Sequence, residues 1–278
     1  MKKHRSFSVT WGLMAFLGVF LGPKALAQSQ DGFAPNRITL GLVSATQQQE
    51  ITNYFEPFVA YLARKILAAP QPQGKVLVVS SLAELARLLD QKTVDFYMES
   101  PYPTYVINQV HGAGRVLLRR WKNGVAEYRS LILTAKDGGI ERLDALRGKT
   151  IAFEDPESTS GYFLPKFFLQ RNGFKFSPAN NSSGTSSATI AYTFAGTTEK
   201  VLDLVLTRAA AAGVMSDDEF SLLEAQKKDR LNVLVQPDSL PRHLVSVRKD
   251  LSKEASERLA AILQGMHEDG SGQQILLK

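Results

Sequence analysis

The sequence has no cysteine among its 278 residues. That excludes disulfides, thiolate metal sites, a cysteine nucleophile and the acylated cysteine that anchors a bacterial lipoprotein. Histidine is scarce too: His4, His111, His243 and His267 stand in unrelated contexts and leave any serine nucleophile without an assigned base. No run of Lys and Arg interleaved with aromatics is present, so nothing points to nucleic acid. No segment recurs at a period of 20 to 50 residues, which excludes a solenoid. The longest apolar run, Trp11 to Leu21, has about a dozen strongly apolar residues against the roughly 20 that span a bilayer.

That run has a different meaning. Lys2, Lys3 and Arg5 precede it, and Ala25-Leu26-Ala27 follow it before Gln28, the pattern of a secretory signal peptide cleaved after Ala27. The formal charge of +6 owes much to this segment, which holds Lys2, Lys3, Arg5 and Lys24 and no acidic residue. The remaining chain is close to neutral. Residues 28–278 are therefore expected to form a free periplasmic protein, long enough for one large domain or two smaller lobes.

Strand-like and helix-like patterns alternate along the chain, which implies sheets covered by helices. Arg37 to Val43, Lys75 to Val79 and Val94 to Met98 read as strands. Between them Ile51 to Leu67 and Ser81 to Leu89 read as helices, the second with Ser80 or Ser81 as its cap and Glu84 placed for a capping box. Tyr102 to His111 is a further helix. Arg115 to Trp121 and Tyr128 to Ala135 read as two strands around Lys122-Asn123-Gly124, a hairpin-like turn. The pattern restarts near residue 136, so the expected division is residues 28–135 in a first lobe, 136–236 in a second, and 237–278 returning to the first. Asn180 to Thr189, rich in Ser and Asn, reads as a loop.

The stretch Phe153-Glu-Asp-Pro-Glu-Ser158-Thr159-Ser160-Gly161-Tyr162 leads from a strand through a Pro turn into a helix. Free N–H groups and the positive end of the helix dipole meet there, and three hydroxyls add donors. Gly161 lets an anion approach the backbone. One of these hydroxyls serves as an ordinary N-cap, but three in succession followed by Gly exceed what a cap needs. Tyr102, after a strand of the first lobe, is placed to face this cluster across a cleft, whereas Tyr97 and Tyr105 read as packing residues. Glu154, Asp155 and Glu157 read as a solvated acidic turn, and Asp217 and Asp218 as a helix start. Neither a metal site nor a cofactor site is assigned.

With these residues in view, the chain resembles the phosphate/phosphite/phosphonate-binding periplasmic proteins of ABC transporters. The likeness is densest in Val94-Asp-Phe-Tyr-Met-Glu-Ser-Pro-Tyr102, Arg119-Arg-Trp-Lys-Asn-Gly-Val-Ala-Glu-Tyr128 and Ile151-Ala-Phe-Glu-Asp-Pro-Glu-Ser-Thr-Ser-Gly-Tyr162, and extends loosely from about residue 37 to the C-terminus. The resemblance implies an α/β, two-lobed type II periplasmic-binding-protein fold with an inter-lobe ligand cleft. It implies Ser158, Thr159 and Ser160 as the oxyanion grip, with Tyr102 closing the cleft from the opposite lobe. Many relatives carry His after Gly-Ser at the next helix start, where this chain has Gly196-Thr197-Thr198. Thr197 and Thr198 are therefore the candidates there. Where many have Val-Asp-Ala-Gly, this chain reads Ala210-Ala211-Ala212-Gly213, which removes an acidic partner for a cationic ligand tail.

The expectation is a monomeric receptor that captures a small phosphorus oxyanion (phosphate, phosphite or phosphonate) and docks on an inner-membrane ABC permease. It does no chemistry on its ligand. The rival readings are a module that presents its bound state to a membrane sensor kinase, and a secreted hydrolase using Ser160.

Overall fold

The computed structural model describes residues 32–121, 124–179 and 188–277. The expected signal peptide, the Lys122-Asn123 part of the expected turn and residues 180–187 of the expected loop lie outside them.

The first sheet begins with β1 (Arg37–Val43), whose alternation turns Ile38, Leu40 and Leu42 onto α1 (Gln48–Ile66). There they meet Val59, Leu62 and Ile66, one face of the helix. Burying each such side chain contributes on the order of 1.5–3 kcal/mol. β2 (Gln73–Val79) and β3 (Phe96–Glu99) pair in parallel with β1 on its two sides. Between them α2 (Leu82–Asp90) covers the other face with Leu82, Leu85 and Leu89. Ser81 Oγ caps α2 by accepting from Glu84 N–H at 3.3 Å, while the Glu84 carboxylate reaches Ser80 N–H instead of closing a box on Ser81. After β3 comes α3 (Pro101–Tyr105), extended by a wider turn to Val110, and then β4 (Gly114–Arg119).

The chain next passes through β5 (Glu127–Tyr128) into β6 (Ser130–Ala135). β4 and β6 do not form the hairpin read from sequence. β4 pairs antiparallel with β13 (Leu244–Arg248) in the first sheet, whereas β6 lies between β10 (Ala212–Ser216) and β11 (Leu231–Val235) in the second. All six residues of β6 are buried, which requires neighbours on both edges and cover on both faces; a hairpin arm would supply one edge only. The division expected after Ala135 thus falls at the far end of a strand belonging to the second sheet, and the chain crosses between β4 and β6.

The second sheet has the order β11-β6-β10-β7-β9-β8, with β7 (Thr150–Phe153), β8 (Lys175–Pro178) and β9 (Thr189–Phe194) parallel to one another. α4 (Leu164–Arg171) follows β7, α5 (Thr198–Leu206) follows β9, and β10 leads into α6 (Asp217–Leu222) and α7 (Ala225–Lys228). The helix that Asp217 and Asp218 start is thus short, and a second short piece follows it. β12 (Leu240–Pro241) brings the chain back and pairs antiparallel with β5, so the outgoing and returning crossings are hydrogen-bonded to each other. β13 then completes the first sheet, order β2-β1-β3-β13-β4, and α8 (Lys253–Gln264) and α9 (Gly270–Leu276) pack on α1.

One buried cation ties the first sheet together. Arg248, 1% exposed, lies 3.6 Å from Asp95, pairs with Asp250 and donates to the Gly32 carbonyl at 2.6 Å. Asp95 in turn accepts Thr39 N–H at 2.8 Å; burial pushes its carboxyl up to about 6 despite the guanidinium.

The closeness of α1 to β2 depends on Gly74, where an added Cβ would stand 2.4 Å from the Val59 carbonyl and 2.6 Å from Ala60 N. Backbone cannot rotate away as a side chain can. Gly74→Ala is expected to destabilise the fold by about 1–3 kcal/mol, read as a lower urea midpoint at unchanged slope.

Candidate functional site

β7 ends at Phe153, and the next residues turn back under the start of α4. Ser158 is the N-cap: its Oγ accepts from Gly161 N–H at 2.9 Å and donates to Glu154 Oε2 at 3.0 Å. The first turn, Thr159–Phe163, is wide, with Phe163 N–H bonded to the Ser158 carbonyl at 3.0 Å, so the regular helix expected from Ser160 begins at Leu164. The N–H groups of Thr159 and Ser160 open the turn and have no acceptor earlier in the helix. Gly161 has a packing role as well. A Cβ there would lie 2.5 Å from Glu154 Oε2 and 2.8 Å from Ser158 Oγ, so its absence lets those two side chains close on the backbone.

Thr159 is a buried contact between the lobes. It is 1% exposed, its Oγ1 accepts from Tyr102 N–H at 2.9 Å, and it bonds Ser100 Oγ at 2.8 Å, both from the β3–α3 junction. The Tyr102 ring stacks on Phe163 at 4.3 Å with planes 8° apart, and Phe163 stacks on Phe167 at 6.0 Å. Tyr102 therefore faces the hydroxyl cluster. Tyr97 is buried as a packing residue, but Tyr105 is 60% exposed and is not one. The Ser160 carbonyl accepts from Ser130 Oγ at 2.6 Å. Burial pushes the Tyr128 phenol up to about 12, against the opposing pull of the Ser160 and Thr159 hydroxyls.

Thr197 and Thr198 have other partners. Thr197 caps α5 by accepting from Lys200 N–H at 3.3 Å. Thr198 Oγ1 stands 3.0 Å from Glu154 Oε1 and 2.8 Å from Glu219 Oε1. Burial first, and then the charge of Glu219, push the Glu154 carboxyl above its ordinary value. The acidic turn is thus not the solvated one expected. Glu154 is held inside it, and Glu157 accepts Leu82 N–H of the first lobe at 3.4 Å. Ala211 lies just before β10, whose Ala212 pairs with Ile151, at the end of the sheet away from Ser158. An acid there would not reach this turn, so its loss does not bear on a ligand held at the turn.

Sequence reasoning missed four residues. Glu99 ends β3, and its Oε1 accepts Val43 N–H at 2.8 Å. Tyr128 and Arg242 belong to the two crossings, with the Arg242 guanidinium 5.2 Å from the centre of the Tyr128 ring and 3.0 Å from Asp218 Oδ2. Arg120, before β5, has its guanidinium lowered by burial and by the Arg242 charge, and its backbone N–H donates to the His243 carbonyl at 2.8 Å. An acid ending an apolar strand at Glu99 was the one available signal. Two concavities of about 320 and 350 Å³ lie away from the turn, one lined by Gly148, Lys149 and Ala211, the other by Pro57, Arg64 and Gln274. At the turn itself the lobes touch.

Two α/β sheets, crossed twice by the chain and meeting at a hydroxyl-rich helix start, define the two-lobed type II periplasmic-binding-protein fold expected from sequence. Solved structures share it. XAC2383 from Xanthomonas citri, bound to chloride ion, superposes with a TM-score of 0.78 at 22% identity over 87% of each chain. PhnD1 from Prochlorococcus marinus (MIT 9301), in complex with methylphosphonate, gives 0.66 at 16% identity over 87% of this chain and 89% of that one. The chain belongs to the family described as ABC transporter, phosphonate, periplasmic substrate-binding protein, whose model matches residues 40–278. The phosphate-import protein PhnD of Mycolicibacterium smegmatis is 29% identical over 181 residues, 62% of this chain; the match spans about half, 52%, of that relative. The family is one of substrate-binding proteins of ABC transporters.

Burial pushes the Glu99 carboxyl from 4.5 up to about 8; Val43 N–H pulls it down, and Glu157 and Asp155 push it further up. The folded protein then holds this proton more tightly than the unfolded chain. The resulting stability is fully present below about 4.5 and is lost as pH rises through about 8. Glu99→Gln, neutral at every pH, is expected to gain in melting temperature over the natural protein between pH 5 and pH 8. An equal difference at both pH values would contradict this.

Proposed function

We propose that the protein is the periplasmic receptor of an ABC importer and captures a small phosphorus oxyanion (phosphate, phosphite or a phosphonate) at Ser158, Thr159 and Ser160. The observation that carries this reading is the position of Thr159. Its hydroxyl belongs to a helix start of one lobe and bonds Ser100 and Tyr102 of the other. An oxyanion received there touches both lobes, so binding and closure become one event, as expected of hinge-bending receptors. Neutral hydroxyl and N–H donors suit a tetrahedral anion. That PhnD1 from Prochlorococcus marinus was solved with methylphosphonate, and that the Mycolicibacterium smegmatis relative is named a phosphate-import protein, support this ligand class. Tyr102 covers the site through its stack on Phe163, and Gly161 keeps the turn compact. Thr198 acts one step away, through Glu154, and Thr197 serves as the cap of α5.

The closed receptor works as a monomer and docks on the permease that the family implies. Presentation to a membrane sensor kinase is the second partner class, and the neighbouring genes separate the two. Calorimetry with phosphate, phosphite and methylphosphonate tests the ligand. Ser158→Ala or Thr159→Ala should each cost about 1–3 kcal/mol, or roughly 5- to 150-fold in Kd. No heat with any of the three, and no thermal shift across a wider oxyanion panel, would overturn the reading. Residues 1–27 are read as the export signal, and N-terminal sequencing of the exported protein should begin at Gln28.

A further inference from the structure

The two crossings carry positive charge that the oxyanion grip does not use. Arg242 follows β12 and is 5% exposed, with its backbone N–H bonded to the Ala126 carbonyl at 3.0 Å. Its guanidinium lies over Tyr128, and Nη1 donates to Asp218 Oδ2 at 3.0 Å, but Nε has no partner. Such an edge is uncommon in a buried arginine, because a planar guanidinium offers five donors and desolvating one unmet is unfavourable. The Nε edge is also one along which guanidinium takes an oxyanion with two parallel bonds. Arg120, on the outgoing crossing, donates its backbone N–H at 2.8 Å to the carbonyl of His243, the residue after Arg242, and its guanidinium is lowered by burial and by the Arg242 charge. Two guanidiniums therefore stand at the crossings, and Ser130, two residues after Tyr128, holds them against the helix start by donating Oγ–H to the Ser160 carbonyl at 2.6 Å. Across the junction the charge is reversed, with Asp155 and Glu157 beside Glu99, whose own carboxyl burial raises to about 8.

We propose that the crossings form a second anion subsite, centred on Arg242 and flanked by Arg120, which receives a second acidic group on a ligand whose phosphorus oxyanion sits at Ser158, Thr159 and Ser160. The preferred ligand is then a phosphonate or phosphate ester bearing a further carboxylate or phosphate on a short linker. A plain alkylphosphonate leaves Arg242 unmet, and an aminoalkylphosphonate brings the wrong charge to it. Asp218 holds the guanidinium in place and competes with the ligand for it. This inference rests on the reading of Ser158, Thr159 and Ser160 as the oxyanion grip.

Calorimetry on the exported protein with methylphosphonate, 2-aminoethylphosphonate and phosphonoacetate tests it. Phosphonoacetate should bind roughly tenfold or more tightly than methylphosphonate, the size expected of charge-assisted bonds. In Arg242→Gln the ratio of the two Kd values should fall towards one. Asp218→Asn should raise the affinity for phosphonoacetate, and it reads the same subsite if Arg242→Gln fails to fold. A ratio near one in the natural protein, a ratio that survives Arg242→Gln, or phosphonoacetate affinity unchanged or weakened by Asp218→Asn would each overturn the subsite while leaving the oxyanion grip intact. Absence of binding by all three ligands would overturn both.

Discussion

The pairing of β5 with β12 is the constraint on which the rest of the molecule depends. The chain leaves the first sheet once and returns once, and these two short strands bond the outgoing segment to the returning one. Two sheets, each with its own buried core, are thereby joined by a ribbon and not by loose tethers. The ribbon also sets what stands behind the junction: Tyr128 comes from one of its strands, and Arg242 follows the other directly. A change in the angle between the lobes must pass through residues that touch the helix start.

Around that start the chemistry is divided by sign. Neutral hydroxyls and N–H groups occupy the middle at Ser158, Thr159 and Ser160, carboxyls gather near Glu99 and Glu157, and guanidiniums stand at the crossings. Burial strengthens every one of these interactions and makes any unmet group expensive. Burial therefore raises the carboxyls of both Glu99 and Glu154 there, that of Glu99 to about 8.

Much of this was legible in the sequence, and the failures have physical causes. Period-two alternation located Arg37–Val43 because one face of that strand meets a helix, and Ser81 announced its helix because a cap is a local device. Ser158-Thr159-Ser160-Gly161 could be read as a helix start for the same reason. The partner of a strand is not local. Arg115 to Trp121 and Tyr128 to Ala135 looked like a hairpin because Asn-Gly favours tight turns, yet their hydrogen bonds go to different sheets. Ala211 seemed to bear on the ligand until the register of β10 put it at the opposite end of the sheet. Arg242 gave no signal, since an arginine between two strands is ordinarily solvated and only the return crossing buries it.

The hydroxyls at the junction have a consequence that follows from their single protons. Ser158 directs its proton to Glu154, and Thr159 is paired with Ser100, so neither stands idle. On the function proposed above, an incoming oxygen atom takes over a bond that already exists, by rotation about one side-chain torsion and without any movement of the backbone. The proposed grip is then set by the difference between two hydrogen bonds, one to the guest and one to the host, and its selectivity becomes a matter of exchange that favours an oxyanion accepting better than Ser100 and Glu154.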